Sequence, residues 1–276
     1  MKNIGFYNGR WDALEKLCVP ALDRAFYFGD GIYDAAYTRN KIIFAEKEHV
    51  DRFFCGLKKM GIRLPYTQEE VASLLRLGVE MCDEDDLFVY FQASSGTSVR
   101  YHADREGTGN LLIMVYPKKI APQEKTLRVC TVPDTRYGLC DIKTLNLMPN
   151  VLANKKAEKA GCYEAVFHRG QTVTEGSHSS VMLINGGSVV IPPLTKYILP
   201  SITRKYVGLL CEKNAIKCEI RTFSLDELYS ADEIIVGSAS SMIRRASHIN
   251  GIPCGGKAAE LYTKLANIYY DCYVNG

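Results

Sequence analysis

A mixed α/β fold, not a doubly wound parallel sheet, is what this sequence predicts, on three observations. Period-two apolar segments separated by tight-turn dipeptides recur in both halves of the chain, the pattern of hairpins. Helical periodicity falls between them at irregular intervals, without the steady strand–helix alternation of a parallel sheet. Residues 117–125 (PKKIAPQEK), with two prolines and four charges, interrupt the pattern as a linker would.

Residues 4–7 read as a strand ahead of the turn Asn8-Gly9, and residues 32–39 and 42–45 flank Asn40-Lys41 as a second hairpin. Over 48–60, Val50, Phe53, Phe54, Leu57 and Met60 recur at helical spacing, and Gly61 stops the helix. Val71, Leu74, Leu75 and Val79 repeat that spacing over 68–82. Strands follow over 87–93 and 111–116, joined by a polar loop containing Arg100 and His102. Beyond the linker come a strand over 127–132, a helix over 151–160 stopped by Gly161, and strands over 163–168, 180–184 and 188–191. Ser201 is placed to cap a helix running through Lys213, and Ser224-x-x-Glu227 is a capping box. Strands over 233–238 and 242–249 and a helix over 258–274 complete the chain.

The composition narrows the function. The chain has 276 residues, 47% hydrophobic and 24% charged, with a formal charge of +3 and no clustered basic stretch, which argues against a nucleic-acid or membrane surface. The longest apolar run, 111–116, is too short to span a bilayer, and MKNIGFYNGR lacks the apolar core of a secretory signal. The ten cysteines are scattered with no C-x-x-C pair, and several lie in apolar-periodic segments, so a reduced, cytoplasmic protein is expected. The five histidines show no ligand spacing, so no metal site is expected.

Two residues in one stretch attract chemical interest. Lys143 lies between apolar neighbours, and Glu175 precedes a Gly-Ser-rich bend. A lysine at a strand end is ordinarily a surface residue, whereas a desolvated one is a nucleophile for carbonyls. A glutamate before glycine is ordinarily a turn carboxylate, and Arg52, four residues after Glu48, could be half of a surface ion pair. Spacing leaves each choice open.

The segments DRAFYFGDGIYD, EHVDR, DIKTLNLMPNVLA and GCYEAVFHRGQTVTEGSHSSV together resemble the class IV pyridoxal-phosphate aminotransferases, in the expected order over about residues 23 to 249. That family includes D-amino acid transaminases, branched-chain transaminases and aminodeoxychorismate lyases. The resemblance implies a two-domain fold-type IV enzyme. A small N-terminal α/β domain would span 1–120, and a larger strand-rich pseudo-barrel domain, binding the cofactor and carrying the lysine, would span 121–276. It implies pyridoxal 5'-phosphate as cofactor and a homodimer, because the family's sites lie at the subunit interface.

Residue by residue, Lys143 resembles the Schiff-base lysine, Glu175 the partner of the pyridine nitrogen, and Arg52 the phosphate-binding arginine. Leu199 would pack on the cofactor ring, and Ile202 and Thr203, opening a helix, would cradle the phosphate. In Val236-Gly237-Ser238-Ala239-Ser240-Ser241, Ser238 and Ala239 match the second phosphate segment, with Ala239 where the family has a threonine. Tyr33, Arg100, His102 and Ser240 match the substrate side; Arg100-Tyr101-His102 resembles the R-x-H loop that holds the substrate carboxylate in D-amino acid transaminases. Leu147 stands where branched-chain enzymes commonly have tyrosine, which also leans toward the D-specific branch. Ser95, Ser180 and the pair Arg244-Arg245 depart from the family pattern, and the two arginines either select an acidic substrate or are simply exposed.

The resemblance therefore implies transamination between a D-amino acid such as D-alanine and a 2-oxo acid. L-branched-chain transamination, aminodeoxychorismate lyase chemistry on the same scaffold, and a non-catalytic cofactor-binding protein stand as alternatives.

Overall fold

The computed structural model describes residues 2–103, 107–120 and 125–275. Two compact units result: Met1–Ile120 with Ile142–Asn146, and Ala121–Asp141 with Leu147–Gly276. Of the linker expected over 117–125, residues 121–124 lie outside the described residues.

The first unit contains β1 (Ile4–Tyr7), β2 (Arg10–Asp12), α1 (Arg24–Phe28), β3 (Gly31–Arg39), β4 (Ile42–Ile43), α2 (Glu46–Met60), α3 (Gln68–Glu80), β5 (Leu87–Ser94) and β6 (Asn110–Pro117). Its six-stranded sheet runs β2-β1-β6-β5-β3-β4 with every pairing antiparallel. Strand alternation makes one face apolar: Leu87, Val89, Phe91 and Ala93 of β5 are fully buried while Phe88, Tyr90 and Gln92 are half-buried. Val50, Phe53 and Leu57 of α2 and Val71, Leu75 and Val79 of α3 join that core. Each such side chain contributes about 1.5–3 kcal/mol by leaving water. At Gly78 a Cβ would come 2.9 Å from the Trp11 ring, so only glycine lets α3 approach this closely.

The hairpin at Asn40-Lys41 has φ of 50° and 63°, the left-handed pair its two-residue turn requires. Its second strand is shorter than expected. Ala45 itself turns into the left-handed region, and α2 starts at Glu46. The short α1 and β2 were not anticipated, because five and three residues are too few to show a period.

The second unit contains β7 (Leu127–Pro133), α4 (Met148–Lys159), β8 (Glu164–Arg169), β9 (Thr172–Gly176), β10 (Ser180–Asn185), β11 (Ser188–Ile191), α5 (Ile202–Lys213), β12 (Cys218–Ile220), α6 (Leu225–Ser230), β13 (Glu233–Ser238), β14 (Met242–Ile249), β15 (Ile252–Pro253) and α7 (Ala259–Asn275). The strands form one nine-stranded mixed sheet, β12-β11-β10-β13-β14-β7-β8-β9, with β15 on β14. This sheet must curl. β9 and β10 lie five strand steps apart in it, about 24 Å in a flat sheet. The bend that joins Gly176 to Ser180 reaches no more than about 15 Å. The strand-rich pseudo-barrel follows from that connection. The helix α4 begins three residues earlier than its periodicity indicates, because Pro149 is compatible with a first turn. Ala153 and Ala157 then seat it against Cys130, Val132 and Phe167.

One expectation is corrected. Lys143 was assigned to the larger domain, but Ile142–Asn146 groups with the first unit. The reason lies in β3. Its edge away from β5 is paired with β4 only at Thr38 and Arg39. Residues 143–145 occupy the open remainder: Tyr33 N donates to Lys143 O (2.9 Å), Leu145 N donates to Gly31 O (3.0 Å), and Thr144 bridges Ile32.

Candidate functional site

In the first unit the pairing just described fixes the backbone of Lys143, and its Nζ lies 4.4 Å from the centroid of the Tyr33 ring. Tyr33 in turn stacks on Tyr90, 5.5 Å between centroids and 23° between planes. Burial pushes the Tyr90 phenol well above its ordinary pKa, with Tyr33 adding to the shift. The strand has no room for a side chain at Gly31: a Cβ would meet Ala93 O and the Leu145 side chain.

Successive strand residues face opposite ways, so Asp34 serves a different group from Tyr33. Fully buried, it accepts Arg52 Nε and Nη2 on its two oxygens, each at 2.8 Å, and lies 2.8 Å from His49 Nδ1. Burial would raise the Asp34 pKa, but Arg52 and His49 outweigh it and hold the carboxyl well below the usual range. Burial lowers the His49 pKa despite Asp34, with Arg52 and Lys143 acting in the same direction. An ionised carboxylate only accepts, so His49 Nδ1 is the donor to Asp34. Arg52 sits in a forked buried clamp, beyond the surface pair that its spacing from Glu48 allowed.

Arg100 and His102 gather around Phe28. The guanidinium carbon of Arg100 lies 4.9 Å from that ring's centroid, and the His102 ring 4.9 Å from it.

In the second unit Glu175 is the penultimate residue of β9. Arg136 Nη1 donates to one carboxylate oxygen at 2.5 Å and Leu199 N to the other at 3.0 Å, which brings Leu199 to Glu175. Arg136 is buried; it also donates to both oxygens of Asp134 and to Tyr197 O, and lies over the Phe167 ring at 4.5 Å. Burial would lower its pKa, but Asp134 and Glu175 raise it above the usual arginine range. The bend after Glu175 is built on Glu164, which is fully buried. Its oxygens accept Ser177 N, Ser177 Oγ and Ser179 Oγ, and His178 Nδ1 lies 3.0 Å away. Burial would raise its pKa, but His178 and these hydroxyls lower it. Gly176 is required there, since a Cβ would meet the Glu164 carboxylate at 2.8 Å. Just beyond the bend the Ser180 hydroxyl is buried with no partner among the described atoms.

Ser201 caps α5 by accepting Arg204 N, so Ile202 and Thr203 head the helix with its first two N–H groups. Thr203 packs on Gly237, where a Cβ would come within 2.8 Å of its methyl, and its hydroxyl pairs with buried Tyr269. This contact brings the helix start to the end of β13. There Ser238 Oγ lies 2.9 Å from Ser240 Oγ and 2.8 Å from Ser241 Oγ. Three hydroxyls thus surround Ala239, where the family's threonine is missing.

Arg244 and Arg245 are occupied within the fold. Arg244 donates twice to Lys125 O and lies over Tyr163; Arg245 lies 3.8 Å from buried Glu233 and over Tyr262.

Asp34, His49, Asp134, Arg136 and Glu164 were not identified from sequence. Asp34 carried a usable signal, a lone carboxylate inside the strand IYDAAY. Arg136 carried none, because Asp134 two residues away marks no local pattern and Glu175 lies 39 residues on.

Comparison with known proteins agrees with the geometry. The amino-transferase class IV family model matches residues 31–249. A D-alanine aminotransferase of Staphylococcus aureus (strain MSSA476) is 35% identical over 265 residues, covering 94% of each chain. A branched-chain aminotransferase from Thermoproteus uzoniensis with norvaline superposes with a TM-score of 0.91 at 21% identity, covering 99% of this chain and 95% of that one. The branched-chain amino acid aminotransferase from Escherichia coli gives 0.89 at 16%, covering 100% and 95%. At these identities the structural matches speak for the fold.

Proposed function

The chain belongs to the class IV aminotransferase family, and from that premise we propose that it transfers an amino group between a D-amino acid, D-alanine foremost, and a 2-oxo acid, using pyridoxal 5'-phosphate. The observation that carries the substrate class is the 35% identity, over 94% of both chains, to a D-alanine aminotransferase.

The residues fit that cofactor. A pyridine nitrogen needs a fixed carboxylate, and Glu175 is held at both oxygens. Forked cations and helix starts are the groups that suit a phosphate dianion: within the first unit Arg52 is a fixed guanidinium, and within the second Ile202 and Thr203 open α5, with Ser238 beside the backbone of Ala239. Leu199 is set by its bond to Glu175 to pack on the ring, and the unpartnered Ser180 hydroxyl is an acceptor and donor waiting for a polar group. Bound pyridoxal phosphate supplies an electron sink for the electrons left at the substrate Cα.

The protein's own groups do the rest. Lys143 Nζ takes the proton from Cα and later returns one, its backbone held by β3 and its amine over Tyr33. Asp34 keeps the Arg52 fork aimed, and Arg136 keeps the Glu175 carboxylate in place. Arg100 and His102, with Tyr33 and Ser240, bind and orient the substrate and its carboxylate. We further infer a homodimer, from the family's interfacial sites, and a reduced, cytoplasmic compartment, from ten scattered cysteines with no C-x-x-C pair. Among the described residues no helix is long and apolar enough to cross a membrane. The two compact units are, on this reading, the family's small and large domains, the second supplying Glu175 and the helix start.

Assays with D-alanine, L-leucine and aminodeoxychorismate as separate amino donors test the proposal. Turnover of D-alanine with a 2-oxo acid is expected; turnover of L-leucine alone would overturn it.

A further inference from the structure

We propose that Arg24 and Phe28 are positioning residues for the substrate carboxylate, because the short helix α1 that carries them holds the Arg100–His102 loop. The proposal rests on the reading that Arg100 and His102 meet that carboxylate.

The clamp has three parts. Arg24 is a buried arginine whose charge is balanced by Asp30, its Nε lying 2.6 Å from Oδ2. Its Nη1 donates to Tyr101 O at 2.8 Å, and Nη2 makes a longer contact of 3.5 Å to His102 O. A guanidinium fork suits this task, because one rigid plane reaches a carboxylate and successive carbonyls together. The loop's earlier residues are tied to the same helix and the chain just before it: Arg24 N donates to Gly96 O, Ser98 N to Leu22 O, and Tyr27 Oη to Ser98 O at 2.7 Å. Asp30 accepts Ser95 Oγ at 2.7 Å, so Ser95, a departure from the family pattern, belongs to the clamp.

Phe28 is the third part. Its ring centroid lies 5.0 Å from the guanidinium carbon of Arg24, 4.9 Å from that of Arg100 and 4.9 Å from the His102 ring. One ring therefore touches both side chains of the carboxylate pair. Arg100 is exposed, and an exposed arginine otherwise samples many rotamers that a bound carboxylate must freeze out. The ring restricts them in advance. The other end of α1 is anchored near the lysine: Gly29 caps it in the left-handed region, and Asn146 Nδ2 donates to Gly29 O at 2.9 Å, three residues after Lys143.

Four variants, Phe28→Leu, Phe28→Tyr, Arg24→Lys and Arg100→Gln, test this in the holoenzyme by steady-state kinetics with D-alanine and a 2-oxo acid and by the dissociation constant of pyridoxal phosphate. Phe28→Leu is expected to raise KM for both carboxylate substrates about 2- to 5-fold, the worth of an exposed cation–π contact. The change should fall on KM more than on kcat and leave the cofactor constant unmoved; Phe28→Tyr, which keeps the ring, should restore KM. Arg24→Lys should raise KM further, and Arg100→Gln most. Unchanged KM in Phe28→Leu beside a raised KM in Arg100→Gln would overturn the proposal alone. Unchanged KM in Arg100→Gln would overturn the carboxylate reading, and the proposal with it.

Discussion

Asp34→Asn is the substitution that separates aiming Arg52 for the proposed phosphate contact from merely filling a core. Asp34 is fully buried, and its two oxygens take both donors of the Arg52 edge and the His49 ring. Removing its charge leaves Arg52, only 14% exposed, without its main counter-charge. Breaking a buried pair from one side costs about 3–5 kcal/mol, and the lower end applies here because an asparagine keeps one acceptor. For the cofactor, an ill-aimed guanidinium forfeits much of a charge-assisted hydrogen bond, about 1.5–3 kcal/mol, or at least tenfold in the dissociation constant. The assay is paired: urea unfolding of the apoprotein, and titration of apoprotein with pyridoxal phosphate followed by its visible absorption. Both should worsen. A weakened fold with an unchanged cofactor constant would refute the reasoning, since Asp34 would then be structural only.

The remaining predictions concern its neighbours and the second unit. The folded His49 pKa lies below its unfolded value near 6.5, so the folded state binds fewer protons there; its contribution is full above about pH 6.5 and is lost as pH falls below that value. Unfolding free energy measured from pH 8 to 5 should therefore decline less steeply below about 6.5 in His49→Gln than in the parent. Gly237→Ala places a Cβ 2.8 Å from the Thr203 methyl and should destabilise by about 1–3 kcal/mol while weakening cofactor binding, read by denaturation and by titration. Arg245→Ala removes the cation near buried Glu233 and should lower stability without changing the ratio of kcat/KM for D-glutamate over D-alanine, because that arginine is engaged inside the fold.

How far the site was legible follows from the range of each interaction. Helix α3 announces itself through local periodicity and α6 through its capping box, which forms between Ser224 and Glu227. The fold class and family were legible because DRAFYFGDGIYD, DIKTLNLMPNVLA and the segment ending at Val181 fall in a recognisable order. What supports the named residues was not. Asp34 meets Arg52 across 18 positions and Arg136 meets Glu175 across 39, and no local pattern marks a buried ion pair at such separations. The placement of Lys143 was misread for a related reason: chain order puts it after the linker, while the open edge of β3 captures it for the first unit. Arg244 and Arg245 illustrate the same limit, two charges whose contact with Lys125 O and position near Glu233 no local pattern announces.

The proposed transamination depends most directly on Lys143 carrying the cofactor. Borohydride reduction of the purified holoenzyme, followed by peptide mapping, locates the lysine to which the cofactor is fixed. The expected result is a phosphopyridoxyl group on Lys143, absent when D-alanine is added before the reductant. A group fixed to another lysine, or one on Lys143 that D-alanine does not displace, would contradict it.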